Sequence, residues 1–251
     1  MNGGRTGHGT GDRGRQRHWL RRRHGPIGRR LRLALASLEA APPDLAPFGG
    51  RAKYYPFDLA DLDEHGGLLD RVERDLGVPD CLVNNAGVSS LTRGDLLDLT
   101  PESFDRSVAV NLRGTFFLCQ AVARRMLATS SDRSRTIVTI SSANAEIVGE
   151  NRGDYCMTKA ALTMMNKLFA SRLAEAGIAC FEVRPGIIAT EMTAPAVARY
   201  DPFIAAGGVP MRRWGQADDI GRAVATLACG GLPYTTGTHI DVGGGLQLHR
   251  V

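Results

Sequence analysis

The strongest constraint on the fold is an alternation of short apolar runs with longer segments of helical period. Cys81-Leu82-Val83, Thr136-Ile137-Val138-Thr139-Ile140, Ala179-Cys180-Phe181-Glu182-Val183 and Thr238-His239-Ile240-Asp241-Val242 read as strands bounded by turn residues. Arg51–Phe57 reads as a shorter strand, and Asp58-Leu59-Ala60-Asp61 leaves it for a helix ending near Leu76. Thr100-Pro101-Glu102 supplies a cap and a first-turn proline for the next helix. That helix carries Val108, Val110, Leu112, Phe116, Phe117, Ala121 and Met126 as its expected apolar stripe. A further helix holds Tyr155 and Lys159 and runs to about Ala176, and Trp214–Asp219 opens one that reaches Ala228. Residues 194–212, broken up by Pro195, Pro202 and Pro210, are expected to form a mobile lid-like segment. Strands alternating with helices predict an α/β fold, a doubly wound parallel sheet covered on both faces, with no internal repeat.

A chain of 251 residues, 43% hydrophobic, is long enough for one domain with a substantial core. No apolar run approaches the roughly 18–20 residues that span a bilayer, so a soluble protein without a membrane partner is expected. Five scattered cysteines without paired spacing suggest reduced thiols in the cytoplasm, with neither a disulfide nor a metal framework. The net charge of +5 is unevenly distributed. Residues 1–33 hold ten arginines and one aspartate, a local +9, so the remainder sums to −4. No nucleic-acid surface is therefore expected on the folded body.

The basic opening has no apolar period, and three readings compete for it. One is an arginine-rich arm for nucleic acid; another is a transit peptide, although serine is absent and the amphipathic pattern is poor. The third is a shifted reading frame. Back-translated and read one base late, Gly9-Thr10-Gly11-Asp12-Arg13 permits Ala-Leu-Val-Thr-Gly. Through Leu20 the same frame permits Thr-Gly-x-x-Ser-Gly-Ile-Gly, its last glycine forced by the single codon of Trp19. A buried strand, a glycine-rich turn and a helix start form a nucleotide-binding opening. Other codon choices exist; we take residues up to about 35–48 as out of frame, which divides the chain into a basic 1–48 and a folded 49–251.

Chemistry gathers around Tyr155 and Lys159, whose i, i+4 spacing puts both on one helix face. An ammonium beside a phenol is expected to lower the phenol's pKa toward the working range. Ser142, at a strand end, can hydrogen-bond a substrate oxygen. Asn111, inside a helix, is either a satisfied buried amide or the holder of a water in a proton path. Asn84-Asn85-Ala86-Gly87 is either a turn or a place where backbone meets ligand closely. Asp58 either starts a turn or contacts a bound base.

In order and spacing, Asn84-Asn85-Ala86-Gly87, Asn111, Ser142, Tyr155-x-x-x-Lys159 and Pro185-Gly186-x-x-x-Thr190 resemble the short-chain dehydrogenase/reductase family. Asp241-x-Gly-Gly-Gly245 is similar to its carboxyl-terminal signature, and the likeness spans residues 49–251. Within the family the chain looks most like bacterial 3-oxoacyl-carrier-protein reductases. The resemblance implies a three-layer Rossmann-type sheet binding NAD or NADP and interconverting a carbonyl and a secondary alcohol. Tyr155 would be the general acid or base, Lys159 would tune it and hold the nicotinamide ribose, and Ser142 would polarise the substrate oxygen. Ser141, one residue too early, is the lesser candidate. Asn111 would hold a water linking Lys159 to solvent. Asp58 and Leu59 would lie by the adenine, Asn85, Ala86 and Gly87 by the adenosine ribose, and Pro185, Gly186, Ile188 and Thr190 by the nicotinamide amide. A homodimer or homotetramer is implied, through the helices at 101–128 and 153–176. A scrambled opening also leaves the alternative of a catalytic body that binds dinucleotide poorly.

Overall fold

β1 (Leu33–Ser37) and β2 (Ala52–Pro56) run parallel, Leu33 opposite Ala52 and Ser37 opposite Pro56. The computed structural model describes residues 31–191 and 193–249; the shifted-frame reading of the opening residues falls mostly outside them. From β2 the chain turns at Asp58 and enters α1 (Glu64–Leu76), which stops at Gly77 with φ of 85°. The second sheet has the parallel order β3-β4-β5-β6: β3 (Cys81–Asn84), β4 (Arg135–Ile140), β5 (Ile178–Pro185) and β6 (Thr238–Val242). Helices α3 (Thr115–Leu127), α4 (Gly153–Leu173) and α6 (Ala217–Ala228) join these strands and cover both faces. One core packs Leu69 and Val72 of α1 against Leu118, Val122 and Met126 of α3. The other sets Val138, Phe181 and Val183 against Val224 and Leu227 of α6.

Three expectations need correction. The strand β1 and the turn Ala46–Phe48 lie inside the 1–48 segment read as irregular or out of frame. The short apolar Leu33-Ala34-Leu35-Ala36-Ser37 was overshadowed by the arginines before it. In the segment 194–212, α5 (Val197–Ala205) forms with Pro202 inside it. The helix is stapled to the body where Trp214 Nε1 donates to Asp201 Oδ1 at 2.7 Å. The third correction concerns the stripe on the helix after Thr100.

Thr100 Oγ1 accepts from Ser103 N–H at 3.3 Å and caps α2 (Pro101–Ser107) as expected. The chain then winds as a π-helix over Val108–Gly114 before α3 begins. A π turn holds more than 3.6 residues and shifts the phase of everything after it. Leu118, Cys119, Val122 and Ala123 are consequently buried, while Phe117 faces outward. Gly114 closes this wide turn against the backbone of Leu59: a Cβ there would stand 2.2 Å from the Leu59 carbonyl oxygen. Gly114→Ala must push the helix from that loop and is expected to cost about 1–3 kcal/mol in urea unfolding. An unchanged midpoint would mean the contact yields freely.

Candidate active site

The carboxyl ends of β3, β4 and β5 open into one cavity of about 2010 Å³. Its wall includes Asn85, Ala86, Gly87, Ser142, Tyr155, Lys159, Pro185, Gly186, Ile188 and Thr190, so the structure brings these expected residues together. Tyr155 sits in the first turn of α4, and Lys159 follows one turn later on the same face. Lys159 Nζ lies 5.6 Å from the Tyr155 ring centroid and donates to the Ile140 carbonyl at 3.0 Å. The Ser142 side chain engages Tyr155. Its Oγ also accepts from Asn144 N–H at 3.1 Å, which fixes the rotamer.

The expected lowering of the tyrosine's pKa is not found. Burial pushes the Tyr155 phenol up, and the Ser142 hydrogen bond with the Arg152 and Arg93 cations offsets only part of that. Burial also pushes Lys159 down to about 8, with Glu182 pulling the other way. The two groups share the same desolvated wall, so the amine is itself a weakened cation. Because the folded value is depressed from 10.5, the unfolded chain binds the extra proton between about pH 8 and 10.5. Stability should rise with pH through that window, and Lys159→Met should lose this rise. Urea midpoints of both chains at pH 7.5 and 10 would check it; parallel shifts would contradict the burial.

Asn111 resolves to the satisfied amide. Its Oδ1 accepts from Val88 N–H at 2.8 Å, and its Nδ2 donates to the Val88 carbonyl at 3.0 Å and Thr158 Oγ1 at 3.2 Å. With both ends committed to protein groups, this amide pins the loop after β3 to α4. Asp58 and Leu59 also line the cavity. Asp58 Oδ1 accepts from Ala60 N–H at 2.8 Å, which is its turn role, while buried Leu59 packs against Gly114. Ser141 also lines the cavity, and its hydroxyl donates to the buried carboxylate of Glu182.

A dinucleotide fits the residues present, from the Gly87 corner, expected beside the adenosine ribose, to the Pro185–Thr190 loop, expected beside the nicotinamide amide. At Gly87 an added Cβ would lie 3.3 Å from Asn111 Oδ1 and 3.5 Å from Lys159 Nζ, so only a bare backbone leaves that corner open. At Gly186 it would come within 2.6 Å of Gly243 Cα, which fixes the Pro185–Thr190 loop against the turn after β6. The glycine-rich turn that would take the diphosphate is not present as sequence in residues 1–48, and no diphosphate-binding residue is assigned there.

The family model described as Enoyl-(Acyl carrier protein) reductase matches residues 33–247, with the catalytic spacing inside it. The chain belongs to the short-chain dehydrogenase/reductase family. The match begins at β1, sixteen residues earlier than the resemblance read from sequence. An L-rhamnose 1-dehydrogenase (NAD(P)(+)) of Azotobacter vinelandii is 34% identical over 207 residues, 82% of this chain and 79% of that protein. A 3-oxoacyl-[acyl-carrier-protein] reductase of Haemophilus influenzae is 34% identical over 81% of both chains. The crystal structure of a 3-oxoacyl-[acyl-carrier protein] reductase from Brucella melitensis in complex with NAD superimposes with a TM-score of 0.86. It is 45% identical, covering 90% of this chain and 92% of its own.

Sequence reasoning missed the support beneath this short-chain dehydrogenase/reductase site. Asp154, fully buried beside Tyr155, accepts from Ser103 Oγ at 2.7 Å, Ser107 Oγ at 2.9 Å and Tyr155 N–H at 2.7 Å, and also from Ser90 Oγ. Burial alone would raise its pKa, but these donors hold the carboxyl below its usual range. Ser103 and Ser107, i and i+4 on a capped helix, were the available signal. Arg152 was missed as well: it reaches Tyr200 OH of α5 at 3.1 Å and stands 6.0 Å from the Tyr155 ring.

Proposed function

We propose that this chain is an NAD(P)-dependent oxidoreductase that interconverts a carbonyl and a secondary alcohol. The observation carrying the reading is the shared wall of Ser142, Tyr155 and Lys159 beside the bare backbone of Gly87. The bound nicotinamide would donate or accept the hydride. Tyr155, its phenol pushed further up by burial, gives its proton to the carbonyl oxygen in reduction and recovers it in oxidation. Ser142 holds that oxygen in place by a second hydrogen bond. Lys159 would bind the ribose hydroxyls, and its charge, weakened by burial, favours proton loss from Tyr155 less than a fully charged amine would. Asn111 positions the loop that carries Gly87. Pro185, Gly186, Ile188 and Thr190 would meet the carboxamide, and Asp58, Leu59, Asn85, Ala86 and Gly87 the adenosine half.

The relatives named as 3-oxoacyl-carrier-protein reductases support a 3-oxoacyl thioester as one substrate class to try, and the rhamnose dehydrogenase supports a sugar. A homodimer or homotetramer in the cytoplasm is the working assembly. Met157, Met164 and Leu168 of α4 and Phe117 of α3 are exposed apolar side chains suited to burial between copies. Fluorescence titration with NADH and NADPH, followed by turnover on acyl thioesters and sugar ketones, tests the assignment. Saturable binding with turnover is expected; binding without turnover on any carbonyl would overturn it. A second reading, a catalytic body that binds dinucleotide weakly, is favoured by the opening between β1 and β3, and failure of both titrations would establish it.

A further inference from the structure

On the loops and helices around Tyr155 the cavity wall has an excess of positive charge. Arg93, Arg106, Arg152 and Arg199 line it, against Glu150 and Glu191. Elsewhere the chain pairs its arginines: Arg125 meets Asp70 and Glu73, and Arg184 meets Glu182 and Glu146. Among the described residues no ion pair engages Arg93, Arg106 or Arg152, whose hydrogen bonds go to neutral oxygens. Arg93 Nη2 donates to Ser89 Oγ at 3.0 Å and Arg106 Nη1 to the Ser89 carbonyl at 3.2 Å, so two guanidiniums share one serine. Arg152 keeps a buried Nε without a hydrogen-bond partner among the described residues.

The position of Arg152 is unfavourable for a cation. It is the N-cap residue of α4, 21 residues long, makes no side-chain cap, and stands at the positive end of the helix dipole. The neighbouring loop still leaves room for it: a Cβ at Gly149 would stand 2.7 Å from Arg152 Nε. The loop carrying Arg93 packs on the same helix start, since a Cβ at Gly153 would lie 2.5 Å from Leu96 Cδ1. Asp154, the acid of that first turn, is committed to serine hydroxyls. Arg152 Cζ lies 6.0 Å from the Tyr155 ring centroid, and the charges of Arg152 and Arg93 both act on the phenol. Like charges gathered here repel one another, and an anion among them would reverse that cost.

Resting on the oxidoreductase reading, we propose that Arg93 and Arg152 form an anion subsite beside Tyr155, and that it takes a carboxylate carried by the substrate itself. The substrate class is then an oxo acid and the matching hydroxy acid. A guanidinium offers a planar fork of donors that fits a carboxylate, which a lone ammonium does not. The 6.0 Å between the Arg152 guanidinium and the phenol ring sets the acid group a few bonds from the carbonyl that Tyr155 and Ser142 hold. The subsite leaves the redox balance as it was. The carbonyl carbon takes the hydride, its oxygen takes the Tyr155 proton, and the carboxylate keeps its charge throughout.

The test compares 4-oxopentanoate with its neutral methyl ester on the full chain. Affinity is read by ligand-observed NMR without cofactor, and turnover separately with NADH and NADPH. The acid should bind about 10–100-fold more tightly than the ester, the range of one or two charge-assisted hydrogen bonds. Arg93→Gln and Arg152→Gln should each cut that ratio about tenfold, and Arg152→Lys should keep part of it. Arg93 is exposed, so its variant is expected to keep the fold. Arg222→Gln, which removes an exposed cation paired with Asp218, should leave the ratio as it is. No preference for the acid at millimolar concentration overturns the subsite, as does a preference that survives both glutamine variants. Variants that weaken NADH binding and spare the acid also overturn it, since the arginines then serve the cofactor's phosphates. Preferred binding of the acid without turnover of any carbonyl keeps the subsite and sinks the oxidoreductase reading; equal turnover of acid and ester does the reverse.

Discussion

Tyr155→Phe is expected to lower turnover by about 10²–10⁴-fold while leaving the urea midpoint close to that of the parent. The substitution keeps the ring that lines the cavity and removes only the hydroxyl that Ser142 engages. Dinucleotide affinity should survive, because the Gly87 corner, Lys159 and the Pro185–Thr190 loop are untouched. The two reaction directions should also differ in pH dependence. Burial holds the phenol protonated well past neutrality, so reduction has its donor ready and should change little between pH 6 and 8. Oxidation needs the deprotonated oxygen and should accelerate as pH rises. Turnover retained by the phenylalanine variant would remove Tyr155 from the chemistry.

The largest stability effect is expected at Asp154. Replacing it with alanine strands the hydroxyls of Ser90, Ser103 and Ser107 in a sealed site and removes the acceptor of the Tyr155 N–H. Each orphaned donor costs on the order of 1–3 kcal/mol, and partial collapse of the site limits the total to about 3–5 kcal/mol. The pH dependence has a definite sign. The folded carboxyl titrates below its usual value, so its contribution is complete above the unfolded pKa and is lost as pH falls through the folded one. Asp154→Asn should therefore be destabilised least, relative to the parent, in acid. A difference between parent and asparagine that is the same at pH 3 and pH 7 would contradict this account. Since Tyr155 is the next residue, the alanine variant should also lose turnover through misplacement of the phenol.

Much of the sheet was legible because its strands are short apolar runs between turn residues, and β4 and β5 are buried along most of their length. The last strand, Thr238–Val242, was expected at the positions where it forms. The helix after Thr100 shows where such reading ends: its cap is a local signal, but the π turn at Asn111 depends on a loop fifty residues earlier pressing against Gly114. Tyr155 and Lys159 were found because one turn of helix is enough to bring them together. Their titration was misjudged because spacing conveys proximity and says nothing of desolvation, which governs both groups. Asp154 escaped notice for a related reason. A lone carboxylate in a helix start looks like a surface residue until distant serines are seen to converge on it.

The turn after β6 has a mechanical consequence. Gly186 N–H donates to the Val242 carbonyl, and Met211 N–H donates to the Gly244 carbonyl at 3.1 Å. One turn thus anchors both the Pro185–Thr190 loop at the cavity and the segment that follows α5. Displacing either should tug on the other. A fusion or truncation that disturbs the last few residues would be felt at the mouth of the pocket, far from the cut in sequence and adjacent to it in space.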